Sequence, residues 1–214
     1  GIPEASLAEG KTRAEGAALA TTALDTAGRA LVTRADEATA AGVASAVGGA
    51  GATATVDRDD RVGTVVVHAD GFEPPSLDAA VAVVTAGTGD APVAGEAAVA
   101  ARGRGAAADG AEEVGAAALD RSWEQGARRR EGDAVVGAAG REGALPTVVA
   151  GLVDAPVIAL PVSTGYGVGG GGVAALQGAL QSCSVLTTVN VDAGFVAGAQ
   201  AGLIARAVDA ARAE

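Results

Sequence analysis

The sequence predicts an α/β fold: a three-layer α-β-α, doubly wound parallel sheet, with a smaller N-terminal α+β lobe. Three observations carry this reading. From residue 79 onward, short apolar runs alternate with helical stretches, and glycine-rich turns follow several of the runs. Runs that are apolar on both faces belong to a parallel sheet covered on both sides. Before residue 75 the rhythm differs, with two strand-like runs joined by the charged turn Asp57-Arg58-Asp59-Asp60. The segment Gly71-Phe72-Glu73-Pro74-Pro75 separates the two regimes, because proline and glycine punctuate regular structure. The expected domains are therefore residues 1–75, the α+β lobe, and residues 76–214, the sheet domain.

In the lobe, residues 12–24 read as a helix, 29–34 as a short strand and 35–47 as a second helix. Residues 53–57 and 62–68 read as two strands. Glu9-Gly10-Lys11-Thr12 has some phosphate-loop character, but it lacks the further glycines and the preceding strand that such a loop needs. In the second domain, residues 79–85 form the first strand, which ends at Ala86-Gly87-Thr88-Gly89-Asp90. A helix from about Pro92 to Arg104 follows. Residues 113–118 are weakly strand-like and lead to a helix running through Trp123 to about Arg130. Strands at 133–138 and 156–160 flank a helix over about 145–153. A glycine-rich loop then leads to a helix at 172–182, a strand at 185–191 and a last helix at 197–212.

Hydrophobic residues make up 49% of the 214 positions, mostly Ala and Val, with no Met, two Phe, one Tyr and one Trp. A core of such small side chains must pack closely. The formal net charge is -11, and Lys11 is the single lysine among 15 basic residues. An acidic surface repels phosphate backbones, so the composition argues against nucleic acid as a partner. Near-absence of lysine in an acidic chain fits a salt-loving, cytoplasmic setting. No apolar run is long enough to span a membrane. The absence of a cysteine pair and of a signal-like start favours a reducing interior. The first residue is Gly rather than Met, which reads as the loss of an N-terminal piece.

Ligands of doubly wound sheets bind beyond the carboxyl ends of the strands. The candidate chemical residues fall there by position: Asp90, Glu142, Ser163, Tyr166 and Cys183. Asp90 opens a helix after a glycine turn, either as part of an anion-binding turn or as an ordinary N-cap. Glu142 follows a strand, either to move a proton or to interact with a helix dipole. Residues 163–172 (STGYGVGGGG) hold six glycines. Ordering them is entropically costly, which makes sense where the backbone closely approaches a ligand or another subunit; the alternative is a disordered loop. Asn190 and Asp192 either bind a ribose or orient a helix start. Cys183, the sole cysteine, is either a small core residue or a nucleophile. His68, the sole histidine, lies in the lobe, so neither a Cys-His dyad nor a zinc site is expected.

The runs REGALPTVVAGLVDAPVIALPVSTGYG, ALQSCS and VNVDAGF, together with TAGTGDAPVAGEAA at 85–98, resemble the LarB family of nickel-pincer cofactor biosynthesis proteins. GIPE at 1–4, EGKT at 9–12 and TRAD at 33–36 are similar to its N-terminal portion, although family members usually begin earlier. That family shares a PurE-like C-terminal domain, flavodoxin-like in architecture, with the aminoimidazole ribonucleotide carboxylases. The resemblance implies carboxylation of nicotinic acid adenine dinucleotide at C5 of the pyridinium ring, with CO₂ or bicarbonate as carboxyl source. Cleavage of the phosphoanhydride follows, giving pyridinium-3,5-biscarboxylic acid mononucleotide and AMP. It further implies magnesium without an organic cofactor, and a homo-oligomer, an octamer in relatives of this domain. Cys183 takes the place of the family's nucleophile, with Asp90 and Glu142 as its acids. Gly87, Thr88, Gly89, Ser163, Gly165, Tyr166, Gly167, Asn190 and Asp192 are the expected substrate contacts, and Lys11, Arg34 or Arg141 the available cations.

The chain departs from the family pattern at four positions. Gly89 replaces a serine, Gly95 a glutamate, Arg141 a methionine and Gln181 an asparagine. Two other functions compete. An aminoimidazole ribonucleotide carboxylase or mutase would use the same sheet, but it needs no thiol and usually employs a histidine. A degenerate nucleotide-binding protein would bind the dinucleotide without releasing AMP.

Overall fold

The computed structural model describes residues 4–49, 54–108, 112–113 and 132–214. The chain divides into two compact units, Gly1–Pro74 and Pro75–Glu214.

The first unit contains β1 (Ala5–Leu7), α1 (Arg13–Ala27), β2 (Arg29–Thr33), α2 (Glu37–Gly49), β3 (Ala54–Asp59) and β4 (Thr64–Ala69). Its sheet order is β1-β2-β4-β3. β1 runs parallel to β2, and the other pairs are antiparallel. Residues of α1 and α2 join Ala30, Val32, Val65 and Val67 in one apolar cluster. A capping box fixes the start of α1: the Thr12 hydroxyl accepts from the Glu15 amide, and the Glu15 carboxylate accepts from the Thr12 amide. Gly28, at φ 68°, stops the helix in the left-handed conformation. The EGKT segment is thus the entrance to a capped helix.

The second unit contains β5 (Val81–Thr85), a short 3₁₀ turn (Thr88–Asp90), α3 (Ala91–Arg102), β6 (Glu112–Glu113) and β7 (Ala134–Ala139). It continues with α4 (Ala144–Ala150), β8 (Val157–Pro161), α5 (Val173–Leu180), β9 (Thr187–Thr188) and α6 (Gly194–Arg212). The five strands are all parallel, in the order β6-β5-β7-β8-β9. Numbered within the unit, that order is 2-1-3-4-5, the flavodoxin-like winding. Strand residues alternate between two helical layers. Val81, Val83, Val136, Ile158 and Leu160 pack with Ala residues of α3 and α6. Val84, Val135, Ala139 and Val157 pack with Leu145 and Val149 of α4. This is the three-layer, doubly wound sheet expected from the sequence.

Small side chains set the spacing between layers. On α6, Gly194, Gly198 and Gly202 recur every fourth residue and face α3. A Cβ on Gly198 would lie 2.0 Å from the Ala97 carbonyl oxygen, and one on Gly194 would lie 2.3 Å from the Val93 carbonyl oxygen. The two helix backbones touch at Gly194 and Gly198, while Gly202 makes room for the Arg104 side chain.

Several boundaries differ from expectation. The strand expected at 185–191 is ordered as β9 over Thr187–Thr188 only, with Val185 exposed. Beyond β9 the chain bends away, although the Val189 and Asp192 amides still donate to the Ala159 and Pro161 carbonyls. The last helix starts at Gly194 rather than 197, directly against α3. The helix expected at 172–182 ends at Leu180. The segment 114–118 and the helix through Trp123 to Arg130 lie outside the described residues. No helix among the described residues is long and apolar enough to cross a membrane.

Candidate functional site

The switch point of this winding lies between β5 and β7, whose outgoing connections diverge and leave a crevice. Three connections meet there. After β5, Gly87-Thr88-Gly89-Asp90 turns tightly into α3. Asp90 occupies the N-cap position of α3 but is already helical (φ -87°, ψ -13°) and makes no side-chain capping hydrogen bond. The capping alternative therefore does not describe it. Its side chain is folded inward, and the residue is only 6% exposed.

After β7, the chain passes through Gly140-Arg141-Glu142-Gly143. A Cβ on Gly140 would sit 2.1 Å from the Thr164 carbonyl oxygen and 3.2 Å from Asp90 Oδ1. Only a glycine lets this turn pass between the Asp90 carboxylate and the loop after β8. Arg141 follows with φ 50°, a left-handed backbone that non-glycine residues seldom adopt. Its amide donates to the Thr164 carbonyl at 3.3 Å, and its guanidinium carbon lies 4.8 Å from the Tyr166 ring centroid. Glu142 is exposed and precedes α4 instead of standing in its first turn, so the dipole alternative is also displaced.

After β8, the glycine-rich loop is shaped by contact rather than by looseness. A Cβ on Gly172 would lie 2.5 Å from Val191 Cγ1, and one on Gly169 would lie 2.3 Å from Ala174 Cβ. Thr164 Oγ1 donates to the Gly89 carbonyl at 3.2 Å, tying the β8 loop to the β5 loop. At the base of the loop, the Ser163 amide donates to Asp192 Oδ1 at 2.8 Å. Asn190 Oδ1 accepts from the next amide, that of Val191, at 2.9 Å. Asn190 and Asp192 thus order the chain between β9 and α6.

Gly87, Thr88, Gly89, Asp90, Glu142, Ser163, Gly165, Tyr166 and Gly167 therefore stand on the three connections that meet at the crevice. Cys183 stands apart. It is exposed, in the connection that enters β9 rather than in one that leaves a strand. A short path of contacts links it to the β7 loop. α5 approaches so closely that a Cβ on Gly178 would lie 2.9 Å from the Glu142 carbonyl oxygen. Ser182 Oγ is paired with Thr147 Oγ1 of α4 at 3.0 Å.

Lys11 and Arg34 belong to the first unit. The Lys11 ammonium donates to the Leu7 carbonyl, and Arg34 bridges Glu9 at 3.1 Å. Arg34 also has a left-handed backbone, φ 55°. His68, also in that unit, stacks on Phe72 with centroids 4.9 Å apart. Burial and the nearby Arg29 hold its pKa below the ordinary histidine value, with Asp57 opposing.

Among the described residues, no three His, Cys, Asp or Glu side chains converge into a set that could hold a metal ion. A dedicated magnesium cage is thus not furnished by these residues. Thr164 and Gly140, which build the crevice, were not singled out from sequence. Glycine at 140 was the available signal, but the loop that crosses it comes from another strand.

The fold and the crevice together define a doubly wound α/β protein with a switch-point site, a class that houses many enzymes. No family model matches the chain. The chain is 40% identical over 146 residues to an uncharacterized protein of Methanocaldococcus jannaschii, a match covering 67% of this chain and 56% of that protein. The chain thus spans little more than half the length of that relative.

Proposed function

We propose that the chain is a pyridinium-3,5-biscarboxylic acid mononucleotide synthase of the LarB type, acting on nicotinic acid adenine dinucleotide and CO₂ or bicarbonate. The observation that carries the reading is the buried Asp90 carboxylate at a crevice framed by glycine loops, in a chain whose single thiol is exposed. The order of motifs, which resembles that of the LarB family, supplies the substrate.

The chemistry gives each group a task. A pyridinium ring is electron-poor and cannot attack CO₂. The Cys183 thiolate adds at ring C4, forming a C–S bond and converting the ring to an uncharged enamine. C5 then attacks CO₂, forming the new C–C bond and returning an iminium cation. Asp90 or Glu142 accepts the C5 proton, the C–S electron pair leaves with sulfur, and the aromatic cation is restored. A thiolate suits this because it is both a good nucleophile and a good leaving group. Water then cleaves the phosphoanhydride and AMP departs. Magnesium, expected from the resemblance, would travel with the substrate's phosphates as their counter-ion.

The thiol must meet a ring held at the crevice. The packing of α5 on Glu142 and of Ser182 on Thr147 supports that relation. Exposed Val168, Val173, Leu180 and Val185 provide apolar surface in keeping with the homo-oligomer that the resemblance implies.

The test is incubation of the full chain with nicotinic acid adenine dinucleotide, bicarbonate and magnesium, read by mass spectrometry. The expected product is the mononucleotide heavier by one CO₂, together with AMP, and it disappears in Cys183→Ala. Undiminished product in that variant would remove the covalent role.

A further inference from the structure

We infer that Arg141, stacked on Tyr166, is the oxyanion-binding residue at the rim of the switch-point crevice and takes a phosphate group of the ligand. This deepens the reading above and rests on it for the identity of the ligand, though not for the presence of the site.

Three observations carry it. The first is the backbone. Arg141 has φ 50° in a turn where glycine or asparagine would sit with less strain. A bulky residue kept at such a position has a use for its side chain. The second is the platform. Its guanidinium carbon lies 4.8 Å from the Tyr166 centroid. That ring is 77% exposed and so is not there to fill a core. Stacking engages the face of a guanidinium and leaves its in-plane N–H donors for a planar or tetrahedral oxyanion. The close passage of Gly165, where a Cβ would lie 3.3 Å from the Arg141 amide nitrogen, brings the two loops into register for the stack.

The third observation is the division of charge. Asp90 is buried, with Oδ1 beside Gly140, the residue immediately before Arg141. The buried carboxylate and the guanidinium at the rim divide the charge along the crevice, and the guanidinium at its outer end suits an anionic group. Among the described residues, no carboxylate bridges Arg141; exposed Glu142 is its neighbour in sequence. In a chain of formal charge -11, a cation placed at this mouth is a local exception. Phosphate is favoured over a ring carboxylate because it belongs to the outer part of a nucleotide whose ring lies inward.

The experiment measures binding of inorganic pyrophosphate to the full chain by calorimetry, for wild type, R141M, R141K, Y166A and R206M. R206M removes an exposed charge elsewhere and controls for net charge. Saturable binding to wild type is expected, about tenfold weaker in R141M and less so in R141K, because a bidentate charged contact is lost. Y166A should weaken it about threefold through loss of the stack, and R206M should leave it unchanged. Equal binding by R141M and wild type, or no saturable binding to wild type, overturns the assignment. Arg141-dependent binding by a protein that makes no carboxylated product would overturn the proposed function and leave the rim site standing.

Discussion

Gly140 and Thr164 are in such close register that a single carbon added to the glycine would fall 2.1 Å from the threonine carbonyl oxygen. This crossing places the Arg141 amide on the same carbonyl, with Asp90 Oδ1 beside the glycine. Gly140→Ala should therefore force the two loops apart. The expected loss is about 1–3 kcal/mol, as for other overpacked sites, with the Arg141–Tyr166 stack broken. Urea unfolding and pyrophosphate binding check both parts. A variant as stable and as tight-binding as wild type would show that the crossing is dispensable.

The glycine at position 89, where the LarB pattern that the chain resembles has serine, has a local cause. A Cβ there would lie 2.9 Å from the Thr164 methyl group. Gly89→Ser alone should destabilise by about 1 kcal/mol, and Thr164→Ser in the same chain should recover much of the loss, because contacting residues couple by about 0.5–3 kcal/mol. A double-mutant cycle in urea measures the coupling; strict additivity would mean that the two positions ignore each other.

The first unit should weaken in mild acid through His68. Burial and Arg29 hold its pKa below the ordinary value, so the unfolded chain takes up the proton first as pH falls. Stability is unaffected well above the unfolded pKa of about 6.5 and declines as pH drops through it, levelling once the folded imidazole also protonates. Unfolding midpoints at about pH 7.5 and about pH 5.5 should differ in the wild type and converge in His68→Asn. Glu15 and Asp36, whose pKa values are lowered by hydrogen bonds from Thr12 and Thr39, act in a separate window. Their contribution is present above the usual carboxylate pKa of about 4 and fades below it. An unchanged slope in the histidine variant would assign the effect elsewhere.

Cys183 is exposed, so it contributes little to packing. Cys183→Ala should change stability by no more than about 0.5 kcal/mol, the usual range for surface substitutions. The native thiol should react with a disulfide reagent without denaturant, whereas the carboxylated product should vanish. A large stability loss, or a thiol that reacts only after unfolding, would point to a structural role.

The sheet was legible in the sequence because its strands are short apolar runs that end at glycine or proline, as in 79–85 and 156–160. Its winding order was expected only through the flavodoxin-like resemblance and not from the strands themselves, since β5 and β7 become neighbours only through the crossovers between them. Helix starts could be read where chemistry is local: Thr12 and Glu15 spell out a capping box. Asp90 could not be settled from sequence. Its position suits a cap, and its burial depends on Gly140 and Thr164, contributed by two other strands. Arg141 was visible as an odd residue in a glycine-rich turn, but its backbone conformation and its aromatic platform appear only in three dimensions. Val185 extended the apparent run ahead of β9 because an exposed valine looks the same as a buried one in one dimension, and Val189 and Val191 extended it beyond β9 although they are partly buried outside the ladder.

The glycine seam between α3 and α6 has a consequence for the acid at the head of α3. With main chain resting on main chain at Gly198, where the nearest atoms are all backbone of Ala97, no side chain is there to cushion a change. A methyl group introduced at Gly198 would push α3 bodily and carry Asp90, at its head, off its mark. The back of the domain is thus a sighting device for the carboxylate, and drift in sequence there would be felt first as lost aim.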